Sequence, residues 1–209
     1  MNKRLSITTL SLLTVALSFT QSSPAVAVPD KGGRAGSWKQ STQGSPSLTA
    51  CKKAVEKNPS DAVANNDLGW AYRQHGDNAK AEKYLREAVK LNGNLAEAHG
   101  NLSVVLLDTG KTDEAVEQAR AAVSAAPNNA IFHVVLGNAL DKKGDAKAAI
   151  EEYRAAVKLQ PDYENAMYHL GRMLVATGEK AEAKSVLSQA LGLDPKDDRV
   201  VALLDKLID

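Results

Sequence analysis

Only one cysteine, Cys51, occurs in 209 residues, so the chain cannot close a disulfide on itself. Aromatic residues are scarce, at 4%, which argues against a bulky sandwich core and for thin helical layers packed through small side chains. Charge of neither sign dominates, with 26 basic against 25 acidic residues. That balance gives no electrostatic footprint for a nucleic acid. Beyond the first 27 residues no apolar run is long enough to span a bilayer. HExxH, paired CxxC, acidic calcium loops, GxSxG turns, Walker phosphate loops and dinucleotide glycine motifs are all missing. The adjacent Glu151 and Glu152 read as a solvated helix face rather than an acid-base pair. The sequence thus points away from an enzyme, and no cofactor or metal is expected.

Residues 1–27 are different in kind. Lys3 and Arg4 precede an apolar run from Leu5 to Phe19, and small residues follow to Ala25-Val26-Ala27. This is the layout of a secretory signal peptide with an A-x-A cleavage site; an uncleaved anchor is the alternative, disfavoured by the short, Ser- and Thr-rich run. Removing these residues, which hold two cations and no acid, leaves 24 basic against 25 acidic residues, net −1. The mature protein is expected to be periplasmic or secreted, with no membrane span. Residues 28–45, rich in glycine and polar residues, read as a flexible leader in which Trp38 is either unstructured or tethered to the folded part.

From residue 62 a fixed period of 34 takes over. "LGWAYRQHGD" at 68–77 is followed by "LSVVLLDTGK" at 102–111, "LGNALDKKGD" at 136–145 and "LGRMLVATGE" at 170–179. Gly69, Ser103, Gly137 and Gly171 form one column; Gly76, Gly110, Gly144 and Gly178 another; Ala81, Ala115, Ala149 and Ala183 a third. A fourth column, Ala88, Ala122, Ala156 and Ala190, reaches back to Ala54. The first column predicts close approach of two helices, where a larger side chain would overpack. The second predicts left-handed helix caps. Pro59, Pro127, Pro161 and Pro195, with Gly93 in their column, predict turns that close each unit. Apolar residues at three- and four-residue intervals between these marks predict helices.

This pattern resembles the tetratricopeptide repeat, a two-helix repeat of 34 residues. Residues 62–95 carry it nearly whole as Leu68, Gly69, Tyr72, Ala81, Leu85 and Ala88. The resemblance implies an all-α, right-handed superhelical solenoid of antiparallel helix pairs. Its units are a half repeat at 46–61, repeats at 62–95, 96–129, 130–163 and 164–197, and a C-terminal capping helix at 198–209. Cys51 falls in the column of Leu85, Ala119, Tyr153 and Leu187 and is expected in the core. His75, at the helix end beside Gly76, reads as a solvated residue. His99 and His133 share a column, which should hold them one repeat apart rather than on one metal ion.

The resemblance also implies that the first helix of each repeat lines a concave groove. Residues implied for it include Asn66, Trp70 and Arg73 from repeat 1, Asn138 and Asp141 from repeat 3, and Tyr168 and Arg172 from repeat 4, with Asn101 and His169 beside them. Asn amides can bond an extended backbone, and Trp, Tyr and Arg are hot-spot residue types. Trp70 has a second reading, as packing against a neighbouring repeat or under the leader. One branch of the family clamps a C-terminal carboxylate with lysines, asparagines and an arginine. Here only Asn101 matches, while Asn66, Trp70, Ile131 and Val135 occupy the other places, so that activity is not implied. The expected function is a non-enzymatic scaffold or assembly factor of the cell envelope, a monomer or weak homo-oligomer that binds a partner protein or peptide. The alternatives are a self-associating structural protein stacking through its ends or convex face, against which the polar Asp205, Lys206 and Asp209 speak, and a metal-dependent enzyme using the histidines.

Overall fold

The computed structural model describes residues 47–207; the stretches read as signal peptide and leader, with Trp38, and the last two residues lie outside it. Ten helices and no strand make up the described residues. They are α1 (Leu48–Lys57), α2 (Ala62–Gln74), α3 (Asn78–Leu91), α4 (Ala96–Asp108), α5 (Thr112–Ala125), α6 (Ala130–Lys143), α7 (Ala146–Leu159), α8 (Glu164–Thr177), α9 (Lys180–Leu193) and α10 (Asp198–Asp205). Helices α2/α3, α4/α5, α6/α7 and α8/α9 form four antiparallel pairs, stacked in chain order into the expected all-α solenoid. Along the stack the first helices touch directly, α2 against α4, α4 against α6 and α8 against α10, whereas the second helices do not approach one another in this way. The first helices therefore line the inner side of the curve.

Each boundary has a local cause. Gly76, Gly110, Gly144 and Gly178 all have φ between +78° and +91°, where a side chain would be strained. The amide after each glycine returns to a carbonyl five residues back, as Asp77 N–H does to Tyr72 and Asp145 N–H to Leu140, closing a Schellman motif. Asp61, Asp77, Asn129 and Asp145 cap the following helices through side-chain oxygens. Between repeats the Pro or Gly column occupies the second place of a turn, closed for example by Asn129 N–H donating to the Ala126 carbonyl.

The small-residue column works by contact. A Cβ added at Gly69 would lie 2.6 Å from Leu85 Cγ, one at Gly137 would lie 2.6 Å from the Tyr153 ring, and one at Gly171 would run into Leu187. Repeat 2 departs in a compensated way: Ser103 stands in the glycine column where the residue in the facing column is Ala119, and both are fully buried. Cys51 is 3% exposed within the core, as its column implies, and His75 is exposed at the end of α2. No helix among the described residues is long and apolar enough to cross a membrane.

Candidate functional site: the inner face

The nine residues proposed for the groove gather into two groups, one on repeats 1 and 2 and one on repeats 3 and 4. In the first group, Asn101 Nδ2 donates to Asn66 Oδ1 at 2.8 Å, and both side chains are buried. Trp70 is 7% exposed and shares a cluster with Ala96, Ala122 and Phe132, with Val104 and Ile131 packed against it. The Arg73 guanidinium lies 4.8 Å from the Trp70 ring centroid and donates from Nε to Asp108 Oδ2 at 2.8 Å. Three of these four residues thus hold α2 to α4 more than they face solvent. The cluster that buries this Trp draws Val104 from the next first helix and Phe132 from the one beyond it.

The second group is built around Tyr153, the largest fully buried side chain. It comes from the second helix α7 and passes under Gly137. Its hydroxyl donates to Asn138 Oδ1 at 2.8 Å, and its ring stacks on His169 with centroids 5.4 Å apart. Tyr168 meets the same imidazole edge-on at 5.3 Å, and Arg199 of α10 covers the Tyr168 ring at 4.4 Å. Arg172 donates to Asp141 at 2.5 Å across α8 and α6. Burial raises the Tyr153 phenol above its ordinary range, keeping it a donor. Burial, with the Arg172 and Arg199 cations adding to it, pushes His169 down to about 4, so its imidazole is neutral at pH 7. Its Nδ1 is buried without a hydrogen-bond partner.

Between the groups the inner face changes character. Val104 and Leu107 of repeat 2 and Ile131 of repeat 3 are half-buried and apolar, with Val134 and Val135 beneath. Polar bonds cross the neighbouring junctions on the outer side too: Arg86 reaches Glu114 from repeat 1 to 2, and Arg154 binds Glu182 with two bonds at 2.9 and 2.7 Å from repeat 3 to 4. At the central junction the position of Glu114 and Glu182 is taken by Ala148, and Lys143 pairs with Asp113 at 2.7 Å instead. The inner face is therefore an apolar strip flanked by two polar, aromatic shoulders.

The shared column of His99 and His133 has a structural task that begins one repeat earlier. Asn65 Nδ2 donates to the Pro59 carbonyl at 2.9 Å, His99 Nε2 pairs with the Gly93 carbonyl at 3.0 Å, and His133 Nε2 pairs with the Pro127 carbonyl at 2.9 Å. Each side chain ties down the turn six residues before it. The other ring nitrogens differ: His99 Nδ1 meets Gln118 at 2.8 Å, His133 Nδ1 meets Glu152 at 2.7 Å. The Gln118 side chain is an uncharged amide, unlike the Glu152 carboxylate. His133 stands between two acceptors and is suited as an imidazolium. The Glu152 carboxylate raises its pKa. Met167 replaces this donor in repeat 4. Glu152 is thus a partner of His133, not half of a carboxylate pair with the exposed Glu151.

Asp108, Tyr153 and Arg199 belong to these groups although the sequence did not single them out for the inner face. Among the described residues no three His, Cys, Asp or Glu side chains converge as a metal site.

Tetratricopeptide repeat family profiles match residues 47–96, 66–130, 101–164 and, with a second profile, 142–207. No curated protein sequence matches the chain. Among solved structures, the chain is similar to that of MamA, at 24% identity and TM-score 0.64 over 71% of this chain and 87% of that one. It is also similar to YrrB, described as a TPR protein with an unusual peptide-binding site, at 23% identity and TM-score 0.63 over 78% and 93% of the two chains. A third similar structure is TTC0263, a thermophilic TPR protein of Thermus thermophilus, at 21% identity and TM-score 0.65 over 78% and 89%. At these identities the likenesses carry the fold, and with the family profiles spanning residues 47–207 the chain belongs to the tetratricopeptide repeat family.

Proposed function

We propose that the protein is a non-enzymatic interaction scaffold that seats a segment of a partner protein along its inner face. The observation that carries this reading is the half-exposed apolar strip of Val104, Leu107 and Ile131 between two polar shoulders. An apolar anchor of the partner would be desolvated in the middle, and its flanking polar groups would meet Arg73 and Asp108 on one side and Tyr168, Arg172 and Asn138 on the other. That is the division of labour of an interface core and rim. The peptide-binding site stated for YrrB, a protein of the same fold, supports the class of partner.

Trp70, Asn66 and Asn101 act in this reading as the support of the first shoulder, and the contacting residues are the half-buried ones. We further propose export: the signal-like residues 1–27 would be removed, the protein would work in the envelope or outside the cell, and a role in assembling an envelope complex follows. Mass spectrometry of the protein recovered from its host should find a chain starting at Val28 in the exported fraction; an intact Met1 in the cytosol would contradict export. For the groove, Leu107→Glu and the pair Tyr168→Ala and Arg172→Ala, each shown to remain helical, should lose the partner that the wild type retains. Retention of the same partner by both variants would contradict the assignment.

A further inference from the structure

The apolar strip of the inner face, Val104 and Leu107 of α4 with Ile131 of α6, is half-buried. The residues before Ser47 lie outside the described residues. Among them the chain holds a segment whose reach, charge and one large side chain fit that strip.

The segment is attached at the right edge. Ser47 caps the first turn of α1. Lys52 of α1 reaches the Tyr72 ring near the end of α2, its Nζ 5.6 Å from the centroid. Arg73, next to Tyr72, bonds Asp108 at the end of α4. The start of α1 and the ends of α2 and α4 therefore lie together, and Leu107 is in the same last turn of α4. Helix α1 packs on α2 and α2 on α4, and two steps between packed helices come to roughly 20 Å. Trp38 stands nine positions before Ser47. A tether of that length spans at most about 30 Å, and a Gly- and Ser-containing polar one roughly 15–18 Å on average. The strip is within this reach, so the tethered Trp acts at an effective concentration on the order of millimolar.

The composition fits as well. Trp38 is the single aromatic residue of 28–45 and brings a large apolar surface. Lys31, Arg34 and Lys39 against Asp30 give this segment three minus one, net +2. Acids border the strip. The Asp108 side chain is 38% exposed and that of its partner Arg73 12%, so the acid is the outward member of the pair. At the other end of α4, Glu97 is half-buried in the first turn. Glu97 precedes Val104 by seven residues, about 10 Å along the helix axis. Arg34 precedes Trp38 by four, up to about 13 Å in an extended chain. A segment running antiparallel to α4 thus sets Lys39 beside Asp108, Trp38 over Val104 and Leu107, and Arg34 beside Glu97.

We propose that residues 28–45 dock on the inner face of their own chain, with Trp38 seated on Val104, Leu107 and Ile131. The segment then covers the apolar strip until a partner displaces it, a regulatory role that rests on the partner reading above. The contact lies within one molecule and requires nothing of residues 1–27.

The test replaces Trp38 by a benzophenone amino acid in the full chain and irradiates the purified protein, dilute and without partner. Peptide mapping should place the adduct at or beside Val104, Leu107 or Ile131, in a product of monomer mass. Leu107→Glu, shown to remain helical, should lose this adduct. Lys39→Glu, which leaves every described residue untouched, should weaken it severalfold, as should high salt. No adduct, adducts spread over the outer helices, adducts between two molecules, or an inner-face adduct indifferent to both variants would each overturn the proposal. The partner reading fails separately: a strip that captures no partner in the living host while the Trp38 adduct stands contradicts the scaffold role and leaves the intramolecular contact in place. Where a partner is captured from position 104, Trp38→Ser should raise its yield, and an unchanged yield would remove the displacement.

Discussion

The junction of repeats 1 and 2 and that of repeats 3 and 4 occupy the same register and are held by different chemistry. At the first, two buried amides bond each other directly and α2 lies against α4. At the second, Tyr153 is driven between the layers from the second helix, and its ring meets His169 while its hydroxyl meets Asn138. One column decides the difference, because its members are Leu85, Ala119, Tyr153 and Leu187. A repeat scaffold tolerates that range because each layer needs to fit only its neighbours. A wider side chain in one layer is absorbed locally, as the absent side chain at Gly137 absorbs Tyr153, and the inner face inherits a different shoulder.

The largest way to break the comparison is Tyr153→Ala. It removes a fully buried ring, its stacking on His169 and the partner of Asn138, and should cost about 3–5 kcal/mol in urea unfolding, the range for a buried aromatic truncated to alanine. Next comes the glycine column. Gly137→Ala forces a Cβ into the Tyr153 ring and should cost about 1–3 kcal/mol. Ser103→Ala should be near neutral, within about 0.5 kcal/mol, since it removes a buried hydroxyl that has no hydrogen-bond partner. Equal losses at both positions would show that the column is not governed by the facing residue.

The polar bonds of the two junctions should also separate. Asn66→Ala leaves the Asn101 amide buried and without its acceptor, at a cost of about 1–3 kcal/mol. Asp141→Ala removes a half-exposed partner of Arg172 and should cost less than about 1 kcal/mol. Smallest is the pH effect of His133. The folded pKa of His133 is raised above its unfolded value, first by its bond to Glu152. Its stabilising contribution is therefore fully present below about pH 6.5, the unfolded value, and is lost as pH rises through the folded pKa. Glu152→Gln, which copies the His99–Gln118 pair, should flatten that slope in thermal melts taken across this window. An unchanged slope would remove the charge assignment at His133.

The scaffold was legible because its causes are local and recur: four glycines at positive φ, three close approaches at one glycine column and a turn breaker every 34 residues. The inner face was less legible, for a physical reason. Position in the repeat says which residues point inward, but burial depends on the neighbouring layers, and Trp70 is buried in a cluster that includes residues of two of them. Tyr153 read as core from its column, and it is; that its hydroxyl reaches Asn138 and its ring reaches His169 requires the spacing of two layers. Arg199 joins the Tyr168 group only because α10 folds back over repeat 4. The anchoring column was different, since its signal was present in the sequence: Asn65, His99 and His133 each stand six residues after a Pro or Gly that closes a turn.

Site-specific photo-crosslinking in the living host tests the central claim most directly. A benzophenone amino acid would replace Val104 on the inner face and, in a separate strain, exposed Lys184 on α9. The account predicts a discrete partner adduct from position 104 that weakens when Leu107→Glu is added, and none from position 184. Adducts from position 184 with none from position 104 would contradict it and move the binding surface to the outside of the solenoid.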